Sequence, residues 1–206
     1  MRIEHVKPSQ RKKGRFLVTL EGGEVLRCSE DELLKFGLRP DMELSDKELE
    51  ALRSSAKASS VRTQAANIIG SRPLSKKELT ERLVKKGAER EDAESAADWL
   101  QGLGAVDDAQ YAAMLARHYG GRGYGPQRVR EELRRRGVDR QLWENAMESM
   151  PDREEILDGL VRKRGRDLSD PKEVKRLSDS LLRRGFAWGE VRDALRRYTD
   201  ILEDDL

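Results

Sequence analysis

QRVREELRRRGVDRQLWENAMESM, residues 127–150, is the stretch that decides the fold. Apolar residues stand eight and four positions before Gly137, on one face of a predicted helix. Trp143, Met147 and Met150 stand six, ten and thirteen positions after it and predict a second helix with an apolar face. Basic residues followed by a glycine are typical of a helix end. The stretch therefore predicts two amphipathic helices that meet at Gly137.

The same pattern occurs around Gly87 and Gly185, which lie 50 and 48 residues from Gly137. A further helical segment precedes each pair of helices: AANII (65–69), YAAML (111–115) and EILDGLV (155–161). A near-constant period of this length is typical of repeat proteins. We predict three tandem three-helix repeats that form an elongated array: residues 58–107, 108–150 and 151–206, the last with an acidic tail. Trp99, Trp143 and Trp188 lie on or beside the apolar faces, and we interpret them as anchors between helices.

Helix-start signals agree with this division. Ser75 with Glu78 has the spacing of a capping box, and Asp107 with Gln110 predicts another helix start. Pro126 and the pair Asp170–Pro171 suit the first turns of later helices. No glycine or proline interrupts residues 46–69, so one long helix is expected there.

Residues 1–57 differ from the rest of the chain. FLVTL (16–20) and EVLRC (24–28) are rich in strand formers and flank Gly22 and Gly23, which predicts a β-hairpin. Two capping boxes, Ser29 with Glu32 and Ser45 with Glu48, then begin helices. The fold class is mainly α, with a small α+β region at the N-terminus.

The composition suits such an array. Hydrophobic residues make up 36% of the 206 positions and charged residues 39%, so each helix buries only a narrow apolar face. The 41 basic and 39 acidic residues nearly cancel, which excludes a polycation of the histone kind. A single cysteine, no secretory h-region and no membrane-length apolar segment predict a cytoplasmic protein.

Signals of catalysis are weak. The two histidines, His5 and His118, are far apart in the sequence, and no phosphate-binding glycine loop follows a strand. Asp107 and Asp108 are explained better by helix capping than by metal chemistry. We expect no enzyme, no cofactor and no metal site.

Six arginines lie in GGRGYGPQRVREELRRRG, residues 120–137. Basic residues before the aligned glycines serve helix ends, and we expect the ion pairs Glu131–Arg135 and Glu132–Arg136. Four arginines remain as candidate contacts to a partner: Arg122, Arg128, Arg130 and Arg134.

Arg134 is the most informative of these, because Val84 and Leu182 stand at the aligned positions. A second basic cluster follows in the third repeat: Arg162, Lys163, Arg164 and Arg166. Neither cluster makes its repeat strongly basic.

Three motifs in order carry a resemblance to a known family. S-x-x-E-L-x-x-R-L-x-x-K-G spans residues 75–87, V-D-D-x-x-Y-A spans 106–112, and G-x-x-x-V-x-x-E-L-x-x-R-G spans 125–137. In this order and spacing the chain resembles the RecX family over residues 60–200. The resemblance implies tandem three-helix units without enzymatic activity, which bind the RecA filament on single-stranded DNA. It also implies that ATP hydrolysis, strand exchange and the co-protease activity behind the SOS response are reduced, so that DNA repair and recombination are regulated.

Alternatives remain open at this point. Three-helix units with short turns also resemble helix-turn-helix modules, so an autonomous DNA-binding protein is the second hypothesis. Weak direct DNA contact fits either hypothesis. Binding to the filament can take place along the filament's helical groove or at its growing end. Because the repeats stack on one another, we expect a monomer.

Overall fold

The computed structural model describes residues 1–10, 13–165 and 167–198, and this part of the chain contains three strands and ten α-helices. The strands are β1 (Ile3–Pro8), β2 (Arg15–Leu20) and β3 (Val25–Ser29). The helices are α1 (Glu30–Phe36), α2 (Asp46–Ile69), α3 (Lys76–Lys85), α4 (Arg90–Gly102), α5 (Asp108–Gly121), α6 (Pro126–Arg135), α7 (Trp143–Met147), α8 (Arg153–Arg164), α9 (Pro171–Arg183) and α10 (Trp188–Arg196). A 3-10 turn, Arg140–Leu142, precedes α7. The mainly α class with a small α+β region at the N-terminus is confirmed.

The N-terminal sheet is antiparallel, with the strand order β1-β2-β3. The predicted hairpin is confirmed as β2 and β3, in which Val18 lies opposite Leu26. The sequence patterns do not predict β1. It is an edge strand in which only Ile3 is fully buried, so its sequence lacks the alternation that marks a half-buried strand.

The sheet packs against the first half of α2. Ile3, Val18 and Leu20 of the sheet share one apolar core with Leu49 and Leu52 of α2. Polar contacts extend this interface: Arg15 donates hydrogen bonds to the Ser59 and Thr63 hydroxyls, and Arg53 Nε donates to Glu24 Oε1 at 3.0 Å. The hairpin is therefore docked on a helix that continues into the first predicted repeat.

α2 is a continuous helix of 24 residues, as expected from the absence of glycine and proline. Ser45 and Glu48 form the predicted capping box at its start. Its second half buries Val61 and Ala65, and Lys57 Nζ lies 2.9 Å from Asp92 Oδ2 of α4. One helix thus serves both the N-terminal core and the packing against α4.

Contacts divide the chain into two compact units. One consists of Met1–Arg72 with Leu79–Ala105, and the other of Pro73–Glu78 with the described residues from Val106 onward. The first turn of α3 therefore belongs to the second unit. The division into residues 1–57 and three repeats stays a prediction.

The second unit contains two apolar cores. α5, α6 and α7 surround one that includes Leu115, Val129 and Leu133, and α8, α9 and α10 surround one that includes Leu177 and Leu181. The aligned leucines and valines on both sides of the three glycines are buried. The pattern fails only at its last position, where Met150 is half-buried and Tyr198 is 37% exposed.

The three aligned glycines end their helices in the same way. Gly87, Gly137 and Gly185 have φ values of +95°, +69° and +90°, in the left-handed region that favours glycine. In each case the next residue donates its backbone N–H to a leucine carbonyl five positions earlier: Ala88 to Leu83 (3.1 Å), Val138 to Leu133 (3.1 Å) and Phe186 to Leu181 (3.4 Å). These are Schellman motifs, and the predicted C-caps are confirmed.

Candidate partner-binding surface

A polar network joins α3, α5 and α6 in the second unit. Arg136 Nη1 donates to Tyr111 Oη at 2.7 Å and to Glu78 Oε1 at 3.2 Å. Tyr111 Oη in turn donates to Glu78 Oε2 at 2.7 Å. The Ser75 hydroxyl donates to the Arg136 carbonyl, while Ser75 and Glu78 form the predicted capping box.

Burial and hydrogen bonding shift the pKa values of Tyr111 and Arg136 in this network. Burial and the hydrogen bond to the Glu78 carboxylate raise the pKa of Tyr111 to about 12. Burial alone would lower the pKa of Arg136, but hydrogen bonding to Tyr119 and the neighbouring Tyr111 and Glu78 raise it above its ordinary value. The network therefore keeps the Arg136 guanidinium charged and the Tyr111 phenol neutral over the physiological pH range.

These four residues are among the polar positions of the three sequence motifs. Ser75 and Glu78 come from the first motif, Tyr111 from the second and Arg136 from the third. They are joined by hydrogen bonds inside the unit, between side chains for Glu78, Tyr111 and Arg136 and to backbone groups for Ser75, so they contribute to the fold.

The glycine-rich loop that precedes α6 is held by the end of α9. Arg184 Nη1 donates to the Gly123 carbonyl at 2.9 Å and to the Arg122 carbonyl at 3.3 Å. The Arg184 guanidinium also stacks on the Tyr124 ring, with its central carbon 5.4 Å from the ring centroid. The loop is therefore an internal contact between α5–α6 and α9.

The start of α6 lies directly against the C-cap of α9. Gly125 N donates to the Arg184 carbonyl at 2.8 Å, and Gln127 N donates to the Gly185 carbonyl at 3.1 Å. A Cβ atom at Gly125 would lie only 2.4 Å from the Gly185 carbonyl carbon. The arginine-rich helix thus begins at a backbone-to-backbone contact, which explains the glycine there.

Local ion pairs take up part of the positive charge of α6, although one predicted pair is wrong. Glu131 pairs with Arg128 (2.9 Å), whereas Arg135 pairs with Glu132 (2.6 Å). Glu132 is nearly buried, so it draws Arg135 toward itself and away from the exposed Glu131. The predicted Glu132–Arg136 pair is confirmed at 3.6 Å.

The predicted contact residues of α6 separate into two groups. Arg128 is occupied by Glu131 and lies 3.6 Å from Glu132 as well. Arg130 and Arg134, one helical turn apart, instead face the start of α7.

Arg130 and Arg134 with Trp143 and Glu144 form what we call the α6–α7 ridge. Arg130 Nη2 lies 3.3 Å from Glu144 Oε1; the Arg130 side chain is half-buried and that of Glu144 is well exposed. The central guanidinium carbon of Arg134 lies 5.6 Å from the centroid of the buried Trp143 ring. Among the described residues Arg134 has no carboxylate partner. The ridge therefore presents a guanidinium that is oriented by an aromatic ring and open to solvent.

The remaining predicted contacts lie outside the ridge. Arg122 is exposed in the loop, with Nη1 3.5 Å from His118 Nε2. Arg162, Lys163 and Arg164 are exposed in the last turn of α8 and make no ion pair within the described part of the chain. Arg166 lies outside the described residues.

Comparison with known proteins identifies the family. Residues 107–147 match the family model for RecX, second three-helix domain. A regulatory protein RecX from Xanthomonas oryzae pv. oryzae (strain MAFF 311018) is 35% identical over 136 residues, which are 65% of this chain and 85% of that protein. One from Stenotrophomonas maltophilia (strain R551-3) is 37% identical over 136 residues, 65% of this chain and 83% of the relative. The chain belongs to the RecX family.

Solved structures agree on the fold. A crystal structure of a regulatory protein RecX superposes with a TM-score of 0.77 at 20% identity, over 95% of this chain and 98% of that one. RecX from Lactobacillus salivarius gives a TM-score of 0.63 at 20% identity, over 68% and 96% of the two chains. The resemblance inferred from the three motifs is confirmed.

Membrane-spanning helices and clusters of metal-binding side chains were also sought among the described residues of this RecX chain. Within the described ranges no helix is long and apolar enough to cross a membrane. In the same residues no three histidine, cysteine or acidic side chains come together as a potential metal site.

Sequence reasoning misses two features of this RecX chain. Its pattern places Arg184 at a helix end, but the Arg184 side chain also clamps the loop of residues 120–125, and only the spatial neighbourhood reveals that role. Of the three tryptophans, only Trp143 is a buried anchor, whereas Trp99 is 38% and Trp188 44% exposed. A comparison of aligned positions gives a signal for Trp99, because Ser149 and Arg197 occupy the corresponding places.

Proposed function

We propose that this RecX chain restrains the RecA recombinase. It binds the filament that the recombinase forms on single-stranded DNA and reduces ATP hydrolysis, strand exchange and co-protease activity. DNA repair, recombination and the SOS response are thereby regulated, and the site of action is the cytoplasm. Membership of a family of regulatory proteins supports this proposal.

The observation that carries the proposal is the open guanidinium of Arg134. Its aligned counterparts, Val84 and Leu182, are half-buried apolar residues, so a helix of this kind does not need a cation there. The ring of Trp143 orients Arg134, which lowers the entropy lost when a partner carboxylate or phosphate binds. An arginine placed this way suits bidentate recognition of an acidic group.

The basic end of α8 supports the same interpretation. Arg162, Lys163 and Arg164 follow one another at an exposed helix end, and Arg166 comes two positions later in the sequence. Complementary charges at such places set the register and the association rate of a complex more than its total affinity. We assign to the end of α8 the electrostatic steering of association, and to the α6–α7 ridge the specific contact with the partner. The chain acts as a monomer in this proposal.

The proposal is tested by titrating RecX into recombinase that hydrolyses ATP on single-stranded DNA. We expect the hydrolysis rate to fall at RecX concentrations that leave naked single-stranded DNA unbound in a parallel filter-binding assay. Inhibition that appears only where RecX coats naked DNA, and that added competitor DNA relieves, would instead support the autonomous DNA-binding hypothesis. An unchanged hydrolysis rate would contradict both.

A further inference from the structure

Arg136 and Arg184 stand at aligned positions, each directly before the glycine that ends its helix. Each guanidinium holds a segment that comes earlier in the chain. Arg136 does so through a carboxylate, since its Nη1 lies 3.2 Å from Glu78 Oε1. Arg184 makes no ion pair among the described residues; it donates to two backbone carbonyls and stacks on the Tyr124 ring. Its side chain therefore serves the glycine-rich loop of residues 120–125.

The loop is fixed at Gly123. This residue is buried and has a φ value of +78°, in the left-handed region that favours glycine. A Cβ atom at Gly123 would lie 3.3 Å from Arg184 Nη1 and 3.3 Å from Leu160 Cδ2 of α8. The loop thus rests on α8 and is held there by the end of α9.

This contact brings together two basic segments that are far apart in the sequence. Arg122 directly precedes Gly123. Lys163 and Arg164 follow Leu160 by three and four positions, so they lie on the same side of α8 as Leu160. The side chains of Arg122, Lys163 and Arg164 are exposed. The packing of the loop on α8 therefore determines where the backbone of Arg122 lies relative to the basic end of that helix.

The composition of the loop explains why it needs to be held. Four of its six residues are glycine, which has more backbone freedom than any other residue. A contact residue in such a loop must be ordered when a partner binds, and that ordering weakens binding. Arg184 binds the carbonyl of Arg122 itself, at 3.3 Å, so Arg122 is ordered before a partner arrives.

We propose that Arg184 is a positioning residue of the partner-binding surface. By holding the loop on α8 it places Arg122 beside the basic end of that helix, and the two segments then bind one anionic region of the partner together. Arg184 acts through Arg122 and does not itself touch the partner. This inference rests on the proposed function, since the partner is the recombinase filament.

Arg184→Gln tests the clamp, with Arg183→Gln as the matched control, because Arg183 is the exposed neighbour of Arg184 and the change in charge is the same. The first measurement needs no partner: it is the rate at which trypsin cleaves the Arg122–Gly123 bond of the folded, full-length chain, followed by mass spectrometry. We expect Arg184→Gln to raise this rate roughly tenfold, because the two hydrogen bonds to the loop are lost, and Arg183→Gln to leave it unchanged. Equal rates in the two variants would overturn the inference.

A double-mutant cycle with Arg122→Ala tests the positioning role. The measured quantity is the RecX concentration that halves recombinase ATP hydrolysis on single-stranded DNA. We expect Arg122→Ala to raise it about fivefold in the wild type but less than about twofold in the Arg184→Gln background, because the released loop no longer presents Arg122. Arg184→Lys keeps donors for the loop carbonyls and should restore part of this coupling.

A role of Arg184 in stability alone predicts a different result. The two substitutions would then act independently, and their effects on the half-inhibitory concentration would multiply. Multiplying effects overturn the inference, and so does wild-type inhibition by Arg184→Gln. If the wild-type chain does not inhibit hydrolysis, the proposed function falls and this inference with it; normal wild-type inhibition with multiplying effects removes the positioning role alone.

Discussion

Gly125 has no side chain, and the space that a methyl group would need is filled by the backbone of Gly185. The nearest atoms to a Cβ added at Gly125 would be the Gly185 carbonyl carbon and oxygen, both at 2.4 Å. Backbone cannot rotate away as a flexible side chain does. At this position the requirement for glycine arises from the approach of two chain segments.

We therefore expect Gly125→Ala to lower the free energy of unfolding by about 2–3 kcal/mol, at the upper end of the cost of overpacking. Urea unfolding of the wild type and the variant measures this difference in the free energy of unfolding. Gly121→Ala is the matched control, because a Cβ atom there has no neighbour within 4 Å, and its effect should stay within about 0.5 kcal/mol. Equal stability of the two variants would show that the contact between α6 and α9 is loose.

Tyr111 provides a second test at the scale of the residue. Tyr111→Phe removes the hydroxyl that donates to Glu78 and accepts from Arg136. Because these groups are largely buried, the free energy of unfolding at pH 7 should fall by about 1–3 kcal/mol.

The pH dependence of this difference follows from the pKa of Tyr111, which is raised to about 12 in the folded chain. An unfolded tyrosine ionises near pH 10. The contribution of Tyr111 is therefore complete below about pH 10 and is lost as the pH rises toward 12. The stability gap between wild type and Tyr111→Phe should narrow over this range; a constant gap would mean that the phenol is not held neutral.

At the scale of the element, α2 is the helix on which the first unit is built. Its first half buries Leu49 and Leu52 against the sheet, and its second half buries Val61 and Ala65. The two halves can share one axis only if the helix is unbroken between them. Continuity of α2 is thus a structural requirement of the unit.

Ser60 is an exposed residue in the middle of α2, so substitutions there report on the backbone. Ser60→Pro should lower the free energy of unfolding by about 3 kcal/mol or more, because proline removes a helical hydrogen bond and clashes with the preceding turn. Ser60→Ala should be neutral or slightly stabilising. Thermal unfolding followed by circular dichroism distinguishes them, and a proline variant as stable as the alanine variant would mean that the halves fold separately.

The helices of this chain are predictable because each carries its own signal. Capping residues such as Ser45 and Ser75, and the glycines that end α3, α6 and α9, act through neighbours in the sequence. β1 and the shortness of α7 are not predictable in this way. An edge strand depends on its partner β2, and a 3-10 turn occupies the three residues directly before α7.

The candidate surface is predictable only in part, because it depends on contacts between residues that are distant in the sequence. When the basic residues that serve helix ends are set aside, Arg130 and Arg134 remain among the candidate contact residues. The structure brings these two together on the α6–α7 ridge. The sequence does not show that Arg128 is engaged by Glu131 and Glu132, because competing pairs at three and four residues' separation are decided by burial. Nor does it show the exposure of Trp99.

At the scale of the whole molecule, the motif residues of the internal polar network are distinct from the arginines of the α6–α7 ridge. The polar motif residues Ser75, Glu78, Tyr111 and Arg136 bind one another. Arg130 and Arg134 of the α6–α7 ridge, to which we assign the contact with a partner, occupy positions that the motifs leave open.

The most direct test of this account is inhibition of recombinase ATP hydrolysis on single-stranded DNA by the double variant Arg130→Glu and Arg134→Glu. The control, Lys175→Glu with Arg176→Glu, makes the same change in net charge on the exposed side of α9. We predict that the ridge variant keeps its helical content and loses inhibition roughly tenfold or more, while the α9 control inhibits like the wild type. Undiminished inhibition by a folded ridge variant, or an equal loss in the control, would contradict the assignment of the α6–α7 ridge.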